Sequence, residues 1–215
     1  MNGAEIVRSY FERNYRVVFW PERGAQKGPT EEGWKTKVYR PEDFTPQTRV
    51  GIVTGQEIEP GKFLHDVDID WAAGYHIAVA FLPRTEFVYG RASKPVSHCF
   101  YTLPEPLPRI TFLDPIDKQT LIEIRGTKEN GELGWQSMVP PSVWSNEEGQ
   151  REKLEFRPSG VIGSPLFFEN TDHFKRKVAL SATGMLLAKR FGLNGFGHEV
   201  RLAWSGFSII GLSPG

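Results

Sequence analysis

The sequence predicts an α+β protein, and three features of its pattern support this prediction. The chain opens with a helical spacing followed by a strand, its middle is a series of short apolar runs between turn residues, and helical spacing returns at Thr171. Short strands bounded by turn residues build sheets, and helices grouped beside mixed strands define the α+β class. We therefore predict an N-terminal α/β unit at residues 1–60, a sheet at residues 61–170 and a helical segment at residues 171–215.

The individual elements follow from the spacing of apolar residues and from the residues that interrupt it. Helical periodicity predicts helices over residues 4–14, 71–82 and 171–191 and another around residues 200–210. Pro83 and Gly192 end two of these helices, because neither residue type continues a helix well. Runs rich in β-branched and aromatic residues predict strands over residues 16–20, 49–54, 62–70, 86–89, 97–103, 109–112, 121–125 and 135–139.

The composition is that of an ordinary globular protein. The chain has 215 residues and a formal net charge of zero, with 39% hydrophobic and 24% charged residues. Zero net charge argues against a polycation that binds nucleic acid by bulk charge alone. The single cysteine, Cys99, excludes an internal disulfide and a cysteine-rich zinc site. Because no apolar run reaches membrane-spanning length, we predict a cytoplasmic protein with no membrane partner.

The most informative motif is the alternation of acids and apolar residues from Asp66 through Asp68 to Asp70. Alternate side chains of a strand share one face, so neighbouring acids in this run reach toward one point. Grouping like charges is costly unless a cation neutralises them, and Mg²⁺ or Mn²⁺ is the cation that suits carboxylate oxygens. The alternative is the polar face of an edge strand.

A second cluster, from Arg91 to His98, combines two cations, two hydroxyls and a histidine just before an apolar strand. Arginine binds phosphate oxygens through its fork geometry and lysine through a compact charge. A basic surface turn is the alternative interpretation of this segment.

A third feature is Glu123, which lies between apolar neighbours with Arg125 two positions along on the same face. By itself, an acid in this position is typical of a simple cross-strand ion pair. Together, however, two acids on one strand and a third on another can hold two divalent ions, and the basic segment can hold a triphosphate. Two-metal phosphoryl transfer needs that combination.

The ordered set of motifs resembles the archaeo-eukaryotic primase superfamily, and more narrowly the primase-polymerase domains of plasmids, phages and other mobile elements. The three motifs that carry the resemblance are Asp68-Ile69-Asp70, Ser97-His98 and Ile122-Glu123. Matching surroundings occur at Lys27–Trp34, Val50–Gly55, Gly90–His98, Gln136–Ser142 and Gly197–Glu199. The chain departs from the common pattern with Val96 where relatives have serine and with Glu123 where many have aspartate. The first motif can also be aligned on Asp66 and Asp68.

The resemblance implies a catalytic domain at residues 1–170, with a mixed sheet related to the RNA-recognition fold, followed by packed helices. The implied activity is template-directed nucleotidyl transfer, by which a DNA primase and polymerase makes and extends primers. The implied partners are a single-stranded DNA template and primer, nucleoside triphosphates, and a helicase domain or protein. The implied catalytic residues are Asp68, Asp70, Glu123 and His98, of which the three acids would ligate two Mg²⁺ or Mn²⁺ ions. The implied nucleotide-binding residues are Arg91, Lys94, Ser97, His98, Arg125 and Gln136.

Two other functions use similar residues. A metal-dependent nuclease or phosphohydrolase would use the same acids, but it would not need the basic segment from Arg91 to His98. A non-catalytic module for single-stranded nucleic acid displays aromatic residues on its central strands, whereas this chain displays acids there. Aromatic residues for stacking on a template strand, with core packing as the alternative for each, are Trp34, Tyr39, Trp135 and Trp144.

Overall fold

The computed structural model describes residues 1–191, which form a mixed α+β protein with mostly antiparallel strands. The helices and strands, in chain order, are α1 (Gly3–Glu12), β1 (Val17–Pro21), β2 (Thr48–Val53), β3 (Glu57–Glu59), β4 (Lys62–Ile69), α2 (Tyr75–Phe81), β5 (Val88–Arg91), β6 (Lys94–Leu103), β7 (Ile110–Leu113), β8 (Thr120–Arg125), β9 (Gln136–Val139), β10 (Val143–Ser145), β11 (Arg151–Lys153), β12 (Glu155–Phe156), β13 (Leu166–Phe167) and α3 (Thr171–Phe191). The predicted α+β class is confirmed. The helix predicted around residues 200–210 and the Gly197–Glu199 segment lie outside the described residues.

Helix α1 begins where the sequence provides a reciprocal cap. The Asn2 side chain accepts a hydrogen bond from the backbone N–H of Glu5 at 3.0 Å, and the Glu5 carboxylate accepts one from the Asn2 N–H at 2.7 Å. This capping box satisfies two of the backbone donors that a helix start leaves open. The buried face of α1 carries Val7 and Tyr10, which pack in the same core as β1 and β2. None of the helices within residues 1–191 combines the length and apolarity needed to cross a membrane.

Besides a two-stranded antiparallel ribbon of β10 and β11, the described residues form two main sheets. The smaller of these two, called the smaller sheet below, has three antiparallel strands in the order β1-β2-β9. Its third strand comes from the middle of the chain, because β9 pairs with β2 and not with β8, the strand before it. Gly51 of β2 lies under the Gln136 side chain, and a Cβ at this position would clash with the Gln136 amide and the Trp20 ring. The glycine therefore lets a polar side chain lie flat across the sheet surface.

The larger sheet has eight strands, of which six follow the order β12-β5-β6-β4-β8-β7, while β13 pairs with β6 and β3 with β4. Strand β4 is central and antiparallel to both neighbours. On one face, Val67 and Ile69 of β4 pack with Val178 and Met185 of α3. Side chains alternate along a strand, so Asp66 and Asp68 lie on the face that points away from α3. The apolar residues of the acid run thus build the core while its acids face the other way.

The structure differs from the sequence prediction in the segment that follows β4. Residues 72–74 form a 3₁₀ turn, and α2 begins only at Tyr75. Gly74 lies so close to the Trp71 indole that a Cβ would clash with the ring, and glycine is a poor residue for a helix interior. The basic segment also differs, because β6 begins at Lys94 and only Ala92 and Ser93 form a turn.

Candidate active site

A cleft of about 500 Å³ opens on the face of β4 that points away from α3. Its lining includes residues of β4, β5, β6 and β8 of the larger sheet, of β9 and β10, and of the Lys27–Trp34 segment. Clefts of this size suit a small-molecule ligand such as a nucleotide. The residues from the acid motifs that line it are Asp68, Asp70 and Glu123.

The register of the larger sheet brings these three acids together. Asp68 lies directly opposite Glu123 across the β4–β8 pair, and residues opposite each other in antiparallel strands share a face. Asp70 follows immediately after β4. One carboxylate oxygen from each acid lies within 4.8 Å of the others, so the described part of the chain contains an acidic group that could hold a metal ion.

Four basic side chains surround the acids. Arg125 contacts Asp68 through Nη2 at 2.5 Å and Glu123 through Nε at 2.5 Å. Arg109 donates to the other Glu123 oxygen from Nε at 2.9 Å and from Nη2 at 2.5 Å, while Lys94 Nζ lies 3.6 Å from Asp68 Oδ1. Buried carboxylates are tolerated when cations and donors compensate the loss of hydration. The fourth basic side chain is His98, which lies opposite Asp68 in the β4–β6 register.

The same neighbours separate the pKa values of the two aspartates. Burial acts to raise the pKa of Asp68, but the charges of Arg125, His98 and Lys94 outweigh it and hold that pKa well below its usual range. Asp70 is more exposed, yet loss of hydration and then the charge of Asp68 raise its pKa to about 6. Asp68 is therefore ionised at every pH near neutrality, whereas Asp70 loses its proton only as the pH rises past about 6.

We expect the affinity for Mn²⁺ to rise with pH up to about 6 and then to level off. Below that pH, Asp70 carries a proton that must leave before its carboxylate can bind a cation, so each unit of decrease lowers the apparent affinity about tenfold. Titration calorimetry with Mn²⁺ across this range measures the dependence. The Asp70→Asn variant, which has no such proton, should bind Mn²⁺ more weakly and lack this transition. A wild-type affinity that stays constant below pH 6 would contradict the assignment.

His98 is held from two sides. Its Nδ1 donates to Asp66 Oδ2 at 2.8 Å, and its ring stacks on Tyr89 with 4.6 Å between centroids and 16° between planes. Ser137 of β9 donates to the same Asp66 oxygen at 2.5 Å. Asp66 is completely buried and does not belong to the acidic group of Asp68, Asp70 and Glu123. The structure therefore places the acids of the run in two different environments.

The remaining nucleotide-binding candidates are placed differently from one another. Arg91 lies over the Trp144 ring, with 3.9 Å from Cζ to the centroid, and its Nε is 3.4 Å from Glu152. Gln136 lines the cleft and donates to the backbone carbonyl of Lys27 at 2.9 Å. Ser97 does not line the cleft: it is completely buried, and its Oγ has no hydrogen-bond partner among the described residues.

A second groove of about 560 Å³ adjoins the cleft and shares Arg109 and Trp135 with it. Trp135 is 37% exposed, and the Arg109 guanidinium lies 4.6 Å from its ring centroid. Trp34 and Trp144 also line the cleft. Tyr39 does not, because it is buried and packs edge-on against Phe19 in the core of the smaller sheet.

Sequence reasoning did not identify Arg109, Ser137 or Glu152. The strand predicted over residues 109–112 could have indicated Arg109, because consecutive strands commonly pair and would place it near Glu123. Ser137 reaches the site because β9 pairs with the distant β2, and Glu152 through side-chain contacts with Arg91 and Ser93, which are distant in sequence. No local pattern marks either residue.

Comparison of the chain with protein-family models, with curated proteins and with solved structures finds no match. The functional interpretation therefore depends on the geometry of the cleft and on the residues that line it.

Proposed function

We propose that the protein is a metal-dependent, template-directed nucleotidyltransferase that acts as a DNA primase and polymerase. One observation carries the proposal: carboxylates from two strands converge in a cleft that also holds basic side chains suited to a triphosphate. A nucleotidyltransferase needs both parts, because catalysis of phosphoryl transfer is mainly positioning and charge neutralisation. We also propose that the protein belongs to the archaeo-eukaryotic primase superfamily.

The three acids fit divalent cations. Carboxylate oxygens are the ligands that Mg²⁺ and Mn²⁺ prefer, and those of Asp68, Asp70 and Glu123 face one point. Asp68 Oδ1 is buried and accepts no hydrogen bond from the described residues. Lys94 Nζ lies 3.6 Å and His98 Nδ1 3.8 Å from this oxygen, so a metal ion would replace only these longer ion-pair contacts. When bound, a pair of such ions would activate the attacking oxygen and stabilise the in-line displacement at phosphorus.

The basic wall of the cleft supports a role in holding the triphosphate. Arg91, Lys94 and His98 line the cleft with the acids. Arg91 is stacked on Trp144 and Lys94 is nearly buried beside Asp68, so both side chains are oriented before a ligand arrives. Such preorganisation lowers the entropic cost of binding and alignment. Arg125 and Gln136 complete the proposed nucleotide pocket.

The second groove supports a single-stranded partner. An exposed indole stacks on bases without regard to sequence, and arginine and lysine attract the backbone. Trp135, Arg109 and Lys128 provide these groups beside the cleft. A DNA template and primer are therefore the proposed macromolecular ligands, and a helicase partner and a cytoplasmic location stay predictions.

Primer extension tests the proposal. The protein is incubated with a labelled primed template, Mn²⁺ and either deoxynucleoside or ribonucleoside triphosphates, and the length of the labelled strand is measured. We expect longer products that depend on the template sequence. Shortened products would contradict polymerisation and support the nuclease alternative. Strand binding without any change in length would support the non-catalytic binding module.

A further inference from the structure

We propose that Asp66 is a positioning residue, which fixes the His98 ring so that Nε2 faces the nucleotide pocket. This inference rests on the proposed function, in which His98 contacts the triphosphate. It assigns a role to the first acid of the run, which the metal-binding group leaves out.

The hydrogen bond between the two residues defines which ring nitrogen carries a proton. A carboxylate oxygen accepts hydrogen bonds, so we assign His98 Nδ1 as the donor in its 2.8 Å contact with Asp66 Oδ2. Nε2 is then the nitrogen that remains for a ligand in the cleft. Carboxylates that orient ligating histidines act in this way in metal sites.

The surroundings hold this arrangement in place. Asp66 is completely buried, and Ser137 donates to the same oxygen that accepts from His98. Tyr89 covers one face of the imidazole with nearly parallel planes. The ring is therefore fixed in both position and rotation, and a rotation about Cβ–Cγ would break the Asp66 contact.

Arg125 provides a positive charge opposite the buried carboxylate of Asp66, although its ion pairs within the described residues are with Asp68 and Glu123 and Asp66 Oδ1 accepts no hydrogen bond there. Arg125 lies directly opposite Asp66 in the β4–β8 register. Burial acts to lower the pKa of Arg125, but the charges of Asp68, Asp66 and Glu123 outweigh burial and raise that pKa above its usual value. A cation of the protein itself thus lies opposite Asp66 in the β4–β8 pair, so no bound metal ion is needed to compensate its burial. The other interpretation, in which Asp66 is a third metal ligand on β4, predicts a loss of metal affinity when it is replaced.

A double-mutant cycle on nucleotide affinity separates these interpretations. The affinities of wild type, Asp66→Asn, His98→Ala and the double variant for a nonhydrolysable deoxynucleoside triphosphate with Mn²⁺ are measured by calorimetry. We expect Asp66→Asn to weaken nucleotide binding about tenfold, as outer partners of ligating histidines do. The double variant should bind no more weakly than His98→Ala, because Asp66 acts through His98. In primer extension, Asp66→Asn should raise KM more than it lowers kcat, and Mn²⁺ affinity should stay at the wild-type value.

Two results would overturn the positioning role. One is a multiplicative loss of nucleotide affinity in the double variant, and the other is a loss of Mn²⁺ affinity in Asp66→Asn. If His98→Ala leaves nucleotide affinity unchanged, the proposed contact between His98 and the triphosphate fails. The positioning role is then tested separately by nuclear magnetic resonance of the imidazole.

The low-field proton on His98 Nδ1 provides that separate readout. Its resonance should move upfield in Asp66→Asn, because a neutral acceptor makes a weaker hydrogen bond than a charged one. Ser137→Ala is the comparison variant: it removes the other donor to Asp66 Oδ2, so that oxygen accepts more strongly from His98 and the resonance should not move upfield. An unchanged resonance in Asp66→Asn would show that Asp66 does not hold the ring.

Discussion

Replacing Asp70 by asparagine is expected to abolish nucleotide incorporation, with a loss of about a thousandfold in rate, the size of effect seen when one preorganised electrostatic group is removed. Asp70 is the exposed member of the acidic group and forms no ion pair within residues 1–191. The change therefore removes a proposed metal ligand and leaves the packing as it was. Primer extension at saturating Mn²⁺ and nucleotide measures the rate, and thermal unfolding checks the fold.

Asp172→Asn is the matched control for this experiment. Asp172 lies in the first turn of α3, its side chain is 76% exposed, and it pairs only with Lys175 among the ion pairs of the described chain. The same chemical change there should leave the incorporation rate unaltered. If Asp70→Asn retained the wild-type incorporation rate at saturating Mn²⁺, the acidic group of Asp68, Asp70 and Glu123 could not be the catalytic metal site.

Replacing Arg125 by methionine is expected to destabilise the fold by about 3 kcal/mol, the low end of the range for breaking a buried ion pair. Arg125 contacts both Asp68 and Glu123, whose side chains are 6% and 3% exposed. Without the guanidinium, Asp68 loses its largest compensating charge and Glu123 loses one of its two arginine partners, while both carboxylates remain out of water. Urea unfolding measures the change as a shift in midpoint at constant slope.

The surface pair of Arg157 and Glu155 offers a comparison for this prediction. Its side chains are 35% and 55% exposed, and exposed ion pairs contribute at most about 1 kcal/mol. Arg157→Met should therefore cost far less stability than Arg125→Met. Equal effects of the two changes would mean that Arg125 does not neutralise the acids in the folded protein.

Much of the fold could be predicted because local pattern and final environment agree. The alternation in β4 predicted a strand with acids on one face, and the packing of Val67 and Ile69 against α3 confirms that assignment. The short strands β10 to β13 were not predicted, because two or three residues are too few to show the alternation of apolar and polar residues that marks a strand. The pairing of β9 with β2 was equally hidden, because register between distant segments is decided by side-chain packing across the whole core.

The candidate site shows the same division between local and distant information. The approach of Asp68 to Glu123 was expected from two strands that carry acids between apolar residues, and the structure brings both to one point. The buried position of Ser97 was not expected, because side chains alternate along β6 and the Ser97 hydroxyl lies on the face opposite to that of His98. Arg109 escaped notice since its contact with Glu123 depends on how β7 pairs with β8.

Because β9 belongs to the smaller sheet, the chain does not complete one sheet before it begins the other. The chain runs from the smaller sheet to the larger one, back again at residues 136–139, and then forward to β12. A cut in the backbone near residue 60 would therefore not release the first strands, which would stay bonded to β9. Gln136 lies on the smaller sheet and Asp68 on the larger one, and the backbone passes between these sheets more than once. These connections limit how far the two sides of the cleft can move apart.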